Sequence, residues 1–459
     1  MNARKIPVAC VQTRAYDRDD FDTHWPHVLS LVEAAGKGGA KLVVLPEGSV
    51  PAYVLGLAPV APSQLERAAQ TLGVLARTYE MSVVYGAAKI VRDRTFNTAI
   101  VIGPDGVELG YAAKQFLWHF DRRWFAAGRT LAPIDTPLGR LGLLVCADGR
   151  IPTIAATLVE RGAEILVMPT AWVTSGREPS ALENVQADFM AGVRARENGV
   201  PFVVCNKAGV EASSVAYCGK SAIIAADGSF VARGGERDET IVVGDVSVGS
   251  PAPHSAHASA AKPSPEPPGL SARARIAFTL AGDATEIARL AELAAFADAD
   301  VLLASGTNDA RGHAIPVFGC GPAPNGPAYL QAGGVRVACV DSSSVYSPRG
   351  LVAPRLGGVD LFLWEAEGEA AWIVAFARTR AAELRAYIVV FDRARERAFV
   401  VDPDGVTLAG TFGDYRMAAF VYDRSRAAAT TVAPATDVAL GLRSAELIRS
   451  EGLRPAGVD

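Results

Sequence analysis

Short apolar runs alternate with amphipathic stretches through the first half of the chain. Ile6–Gln12, Lys41–Leu45, Ser82–Tyr85, Leu141–Cys146, Glu164–Met168 and Phe202–Cys205 are rich in Val, Ile and Leu and end at turn residues, which predicts buried strands. The spacing of apolar positions predicts helices over Phe21–Ala35, Ser63–Tyr79, Pro152–Arg161 and Ala181–Glu197. Two Asp-Gly pairs, in Pro104-Asp105-Gly106 and Ala226-Asp227-Gly228, predict hairpin turns. Strands alternating with helices in this way predict an α/β domain whose helices cover sheets.

Residues 249–271, GSPAPHSAHASAAKPSPEPPGLS, break the pattern with Pro, Ala and Ser and no periodicity, as a linker does. His254 and His257 lie inside it, but no Cys, Asp or third His stands near them to complete a metal site. After the linker the first half's segments return weakly and in the same order. ARIAFTLAG follows KIPVACVQT, ADADVLLASG follows GGAKLVVLPEG, VRVACVDSS follows GLLVCADGR, and FVVDPDGVTLAG follows AIIAADGSFVAR. This predicts a domain over 1–248, a linker over 249–271, a diverged copy over 272–435 and a C-terminal tail over 436–459. Two unrelated α/β domains of ordinary strand composition remain the competing reading.

Composition narrows the function classes. A formal net charge of −4 over 459 residues advertises neither nucleic acid nor an anionic membrane as a partner. Six scattered cysteines form no disulfide framework, and Cys10, Cys205 and Cys339 sit in apolar runs where a buried free thiol is the default. The first residues carry no apolar stretch of secretory type, and no run of about 18 apolar residues suits a membrane span. A soluble cytoplasmic protein is the expectation.

Three apolar strands each end beside a reactive group. Glu47 follows Lys41–Leu45 in VVLPEGSVPAY, at the strand end where open α/β folds build their sites. Lys114 precedes a loop holding Phe116, Trp118, His119, Phe120, Trp124 and Phe125, whose rings would partly desolvate it. Cys146 ends GRLGLLVC, ahead of Asp148-Gly149-Arg150 and the helix from Pro152. Singly, each has a plain alternative: a surface acid, an exposed lysine, a packed thiol. Together they make a reaction. A thiol near neutral pH needs a base, which Glu47 can be. A tetrahedral oxyanion needs positive charge, from Lys114 and the Ala147 N–H, and a departing amine needs its proton returned.

Glu47 in LPEG, Lys114 before an aromatic loop and Cys146 in VCAD resemble the Glu-Lys-Cys pattern of the nitrilase superfamily in order and spacing. The resemblance covers residues 5–247 and includes WFAAG at 124–128, PTAW at 169–172, the run Arg194-Ala195-Arg196-Glu197-Asn198, and CGKSAIIAADG at 218–228. It implies an αββα sandwich, followed by a second, diverged αββα-like domain, and a thioester formed on Cys146 and hydrolysed by water. Two departures stand out. Asp121 occupies the place of the family's second glutamate, one methylene shorter, as a supporting acid. The family's Pro-Glu pair after the cysteine motif reads Pro152-Thr153, so one carboxylate is missing. Ala147-Asp148 resembles the amidase and carbamoylase branches more than true nitrilases. The resemblance therefore implies hydrolysis of a small amide or N-carbamoyl compound without cofactor or metal. Nitrile hydrolysis, acyl transfer to an amine and a non-catalytic scaffold are the alternatives. Tyr53, Trp118, His119 and Trp172 are the candidate substrate-binding residues.

The second half lacks the chemistry. Ser305 or Gly306 stands opposite Glu47, and no lysine occurs after Lys262. Cys339 keeps the Cys-x-Asp spacing without base or cation. One expectation is that residues 272–435 form an internal pseudo-dimer partner for the Pro152–Arg161 face, with further homo-oligomerisation open; the competing one is that this half binds a regulator or a substrate tail.

Overall fold

A computed structural model describes residues 4–174, 180–249, 272–306, 313–320, 328–332 and 335–451. The expected linker, with His254 and His257, lies outside the described residues apart from Gly249. The chain divides into two compact units. One is Met1–His254 with Ala433–Thr436 and Gly441–Asp459; the other is Ser255–Val432 with Asp437–Leu440.

In the first unit the elements run β1 (Arg4–Gln12), α1 (Phe21–Lys37), β2 (Leu42–Val44), α2 (Pro62–Thr78), β3 (Ser82–Val91), β4 (Arg94–Ile102), β5 (Glu108–Ala113), β6 (Ile134–Thr136), β7 (Gly139–Leu143) and α3 (Pro152–Glu160). They continue with β8 (Ile165–Pro169), α4 (Ala191–Asn198), β9 (Phe202–Cys205), β10 (Ala208–Glu211), β11 (Val215–Cys218), β12 (Ala222–Ile224), β13 (Phe230–Arg233) and β14 (Thr240–Val248). One six-stranded sheet has the order β14-β1-β2-β3-β4-β5 and the other β13-β12-β9-β8-β7-β6. The parallel strands β2, β8 and β9 are buried along their whole length, as strands covered on both faces must be. In α1 the buried residues Phe21, Trp25, Val28, Val32 and Ala35 repeat at helical spacing and pack on Ala9, Val11, Val43 and Val83 of the first sheet. Helix α3 buries every residue from Pro152 to Val159.

Three local differences from the sequence reading have physical causes. Strand β3 runs on to Val91 through Gly86, where a Cβ would sit 2.4 Å from the Glu47 Cα, so this glycine admits the Glu47 backbone. β7 ends at Leu143, and the chain turns into a short 3-10 segment from Cys146 to Arg150. The helix expected from Ala181 starts instead at Val185, where the Asn184 side chain accepts from the amides of Gln186 and Ala187, and its first turn, Gln186–Met190, is π-helical.

The second unit begins with β15 (Arg273–Thr279), β16 (Val301–Ser305), β17 (Val317–Cys320), β18 (Ala328–Ala332) and β19 (Val335–Val340). β20 (Leu361–Glu365), β21 (Tyr387–Asp392), β22 (Arg397–Val401), β23 (Thr407–Gly410) and β24 (Met417–Asp423) follow. A four-stranded sheet has the order β17-β16-β15-β24 and a six-stranded one runs β18 to β23 in sequence order. Ile276, Phe278 and Leu303 meet Val337, Leu363, Val389 and Phe391 in one core. The alternate residues Ala277, Leu302 and Ala304 face Ile287, Leu290 and Ala294 of helix Ala284–Phe296. The residues expected as a C-terminal tail form helix Val438–Ser450. Among the described residues no helix is long and apolar enough to cross a membrane.

Candidate active site

Glu47, Lys114 and Cys146 each stand just past the end of a strand in the first unit. After β2 the chain keeps pairing with β3: Leu45 N–H donates to Val84 O and Gly86 N–H to Pro46 O. Glu47 N–H donates across to Thr170 O, just beyond β8. Lys114 follows β5, with its N–H on Asn97 O and its carbonyl accepting from Gly128. Cys146 has φ +46°, a left-handed conformation that a non-glycine residue adopts only where the surroundings enforce it.

Glu47, Lys114 and Asp121 are fully buried and form one ion network. The Lys114 ammonium donates to Glu47 Oε1 at 2.8 Å and lies 2.7 Å from Asp121 Oδ2. Glu47 Oε1 also accepts from Asn97 Nδ2 at 2.6 Å, while its Oε2 is buried without a hydrogen-bond partner. Burial acts against the Lys114 charge, but Asp121, Glu47 and Cys146 outweigh it and hold the ammonium well above the usual lysine range. Asp121 reaches the lysine from the 3-10 turn His119–Arg123. Tyr53 OH donates to its Oδ1 at 3.0 Å and Trp118 N–H to its Oδ2 at 2.8 Å.

Cys146 lies within electrostatic reach of Glu47 and Lys114. Burial, then the Glu47 carboxylate, pushes its thiol up, while Lys114, the Thr170 side chain and the Ala171 backbone pull the other way. Ala147 follows it, buried. Of the candidate substrate-binding residues, Tyr53 is buried and tied to Asp121, with the Lys114 ammonium 5.8 Å from its ring centroid. Trp118 and His119 are half-buried at the start of the turn that carries Asp121. Trp172 is buried. With the Gln186 amide oriented to suit both neighbours, it accepts from Trp172 Nε1 at 3.1 Å and donates to Cys146 O at 3.0 Å.

Asn97, Asp148 and Gln186 also belong to this constellation, although the sequence pattern does not single them out as site residues. Asp148 Oδ1 accepts from the N–H groups of Gln115 (3.0 Å) and Phe116 (2.8 Å), and Oδ2 from Val145 (3.0 Å). One carboxylate thus splices the segment after Lys114 to the residue before Cys146. Burial pushes its pKa up to about 7 even though three N–H donors favour the anion. In Asp148→Asn the amide NH2 must face an N–H donor. A loss of roughly 1–3 kcal/mol is expected, read as a lowered Tm. An unchanged Tm would show that these bonds do not hold the turn.

Thr153, where the sequence lacks a carboxylate, is bonded to one from far along the chain. Glu446 Oε1 accepts from Thr153 Oγ1 at 2.9 Å. Among the described residues no group of three or more His, Cys, Asp or Glu side chains could hold a metal ion, and five cysteines, Cys10, Cys146, Cys205, Cys218 and Cys339, are free.

The carbon-nitrogen hydrolase family model matches residues 7–252. A Pseudomonas protegens protein described as "Hydrolase in pqqF 5'region" is 32% identical over 45% of this chain and 71% of its own length. An (R)-stereoselective amidase of a Pseudomonas species is 30% identical over 44% and 71%. The bovine omega-amidase NIT2 is 31% identical over 47% and 80%. With more than half of its length matched by the family model, this chain belongs to the carbon–nitrogen hydrolase family.

Proposed function

We propose that this protein hydrolyses a small amide or N-carbamoyl compound to an acid and ammonia or an amine, with Cys146 as nucleophile. The observation that carries this reading is the buried ammonium of Lys114 held between Glu47 and Asp121, with the unpartnered Glu47 Oε2 left to handle protons. The Cys146 sulfur attacks the carbonyl carbon while its proton passes to Glu47. The oxyanion is held by Lys114 and the Ala147 N–H. The C–N bond breaks as Glu47 returns the proton to the nitrogen, leaving a thioester. Water then attacks, Glu47 takes its proton, the C–S bond breaks and the thiol is restored. Asp121, positioned by Tyr53, keeps the lysine aimed. Among similar relatives five carry amidase names and two carry nitrilase names, a balance that supports amides over nitriles.

The second unit is, in this reading, a diverged and non-catalytic copy. β15 lies between antiparallel β24 and parallel β16, as β1 lies between β14 and β2. β18 to β23 repeat the order and senses of β6-β7-β8-β9-β12-β13. Arg380, paired with Glu383 and donating to Val345 O, matches Arg194, paired with Glu197 and donating to Gly149 O. At the end of β16, Ser305 Oγ donates to Glu365, and the strand register puts Gly306 opposite Glu47, so that position carries no side-chain carboxylate.

The test is a panel of small amides, N-carbamoyl amino acids and nitriles, followed by ammonia release and intact mass. Ammonia from an amide with an acyl adduct on Cys146, and an unchanged rate in Cys339→Ala, is the expected result. Turnover confined to nitriles, or no turnover and no adduct across the panel, would refute it.

A further inference from the structure

Residues 433–436 and 441–451 fold as part of the first unit, and Ala435 and Thr436 touch the turn that carries Asp121. Thr436 is fully buried, and its Oγ1 accepts from the His119 N–H at 2.6 Å while its own hydroxyl points to Pro434 O at 3.3 Å. Ala435 O accepts from Arg122 Nε at 3.1 Å. These two contacts bracket Asp121 within a turn of five residues, His119–Arg123. His119 has φ +45°, a conformation a non-glycine residue keeps only under external constraint. The helix that follows is anchored too. A Cβ at Gly441 would sit 2.8 Å from the Phe116 ring and 2.9 Å from Ile151, so glycine permits the close approach. Leu442 and Ala445 are buried, and Glu446 accepts from Thr153 on α3.

We propose that residues 433–436, with 441–446, are a positioning element for the active site: Thr436 and the Ala435 carbonyl clamp the turn His119–Arg123 and, through it, the Asp121 carboxylate that aims the Lys114 ammonium. The Trp118 N–H and the Tyr53 hydroxyl fix the two Asp121 oxygens only while the turn keeps its shape, and the clamp supplies that shape from about 300 residues away in sequence. Thr436 touches no reacting atom, so it acts through Asp121 and Lys114. The inference rests on the amide-hydrolysis reading for its activity readout, and on geometry alone for the second readout below.

The test compares Thr436→Val, which keeps the shape and removes the acceptor, with Thr436→Ser, which keeps the acceptor, both in the full chain. One hydrogen bond lost to a buried N–H and expressed in the transition state corresponds to about a tenfold fall in kcat, with KM changed less than about twofold. The second readout is the pH profile of iodoacetamide alkylation at Cys146, resolved by peptide mass. The charged and titratable groups facing this thiol are Glu47, Lys114, Tyr53 and Tyr217. A misaimed Lys114 is expected to move the profile to higher pH in Thr436→Val and leave it in place in Thr436→Ser. Should the wild type hydrolyse no amide, the functional reading fails while the alkylation profile still decides the clamp. A valine variant whose profile coincides with wild type, or a serine variant equally impaired, overturns the proposal.

Discussion

Replacing Lys114 with methionine is expected to lower both stability and turnover, because it leaves two buried carboxylates facing each other. Glu47, Lys114 and Asp121 expose no side-chain surface, and the ammonium lies within 2.8 Å of both acids. Removing one member of a buried ion network costs about 3–5 kcal/mol, since the remaining charges lose their compensation without regaining water. The sign with pH follows from linkage. In the variant the folded state favours protonation of one acid, which removes the repulsion, whereas the unfolded chain has no such preference. The native state then binds more protons than the unfolded one, so stability falls as pH rises and recovers on acidification. Calorimetry at pH 5 and pH 8 should show the larger Tm loss at pH 8. Turnover should fall by roughly 10²–10³-fold or more as the oxyanion loses its cation. A variant that melts with the wild type at pH 8 would mean that the lysine does not hold the pair together.

Much of this site is legible in the sequence for a physical reason. Val43-Val44, Val145 and Val167-Met168 belong to strands or strand ends buried on both faces, so they read as unbroken apolar runs, and the polar residue that ends such a run is conspicuous. Glu47 and Cys146 are visible for that reason, and Lys114 by its aromatic neighbours. Asn97 left a weaker trace, a polar residue inside the otherwise buried strand β4. Gln186 is masked by the π-helical turn, whose spacing passes for α-helical. Thr436 and Glu446 were not readable at all, because their partners His119 and Thr153 lie 317 and 293 residues away and no local pattern records such a contact. The Asp121 substitution shows the same limit. A shorter acid suggests a looser contact, yet from the turn His119–Arg123 the carboxylate still meets the ammonium at 2.7 Å.

Cys146→Ala is expected to reduce amide hydrolysis at least about 10⁴-fold, equivalent to roughly 5.5 kcal/mol of transition-state stabilisation. Removing the sulfur removes the thioester route, and only binding and electrostatic effects persist. The same floor is expected for Glu47→Gln. Burial and the Glu47 carboxylate both push the Cys146 thiol up, so it enters the reaction protonated and needs a base to become a nucleophile. A glutamine whose oxygen stands at the Oε1 position still accepts from Lys114 and Asn97 but takes no proton. Because nucleophile and base serve one step, their losses should not add: Glu47→Gln/Cys146→Ala should be no slower than Cys146→Ala alone. Initial rates of acid formation for the two single variants and the double variant decide this. A double variant slower by the product of the two single effects would mean that Glu47 acts apart from the thiol, and the proton path through Oε2 would have to be abandoned.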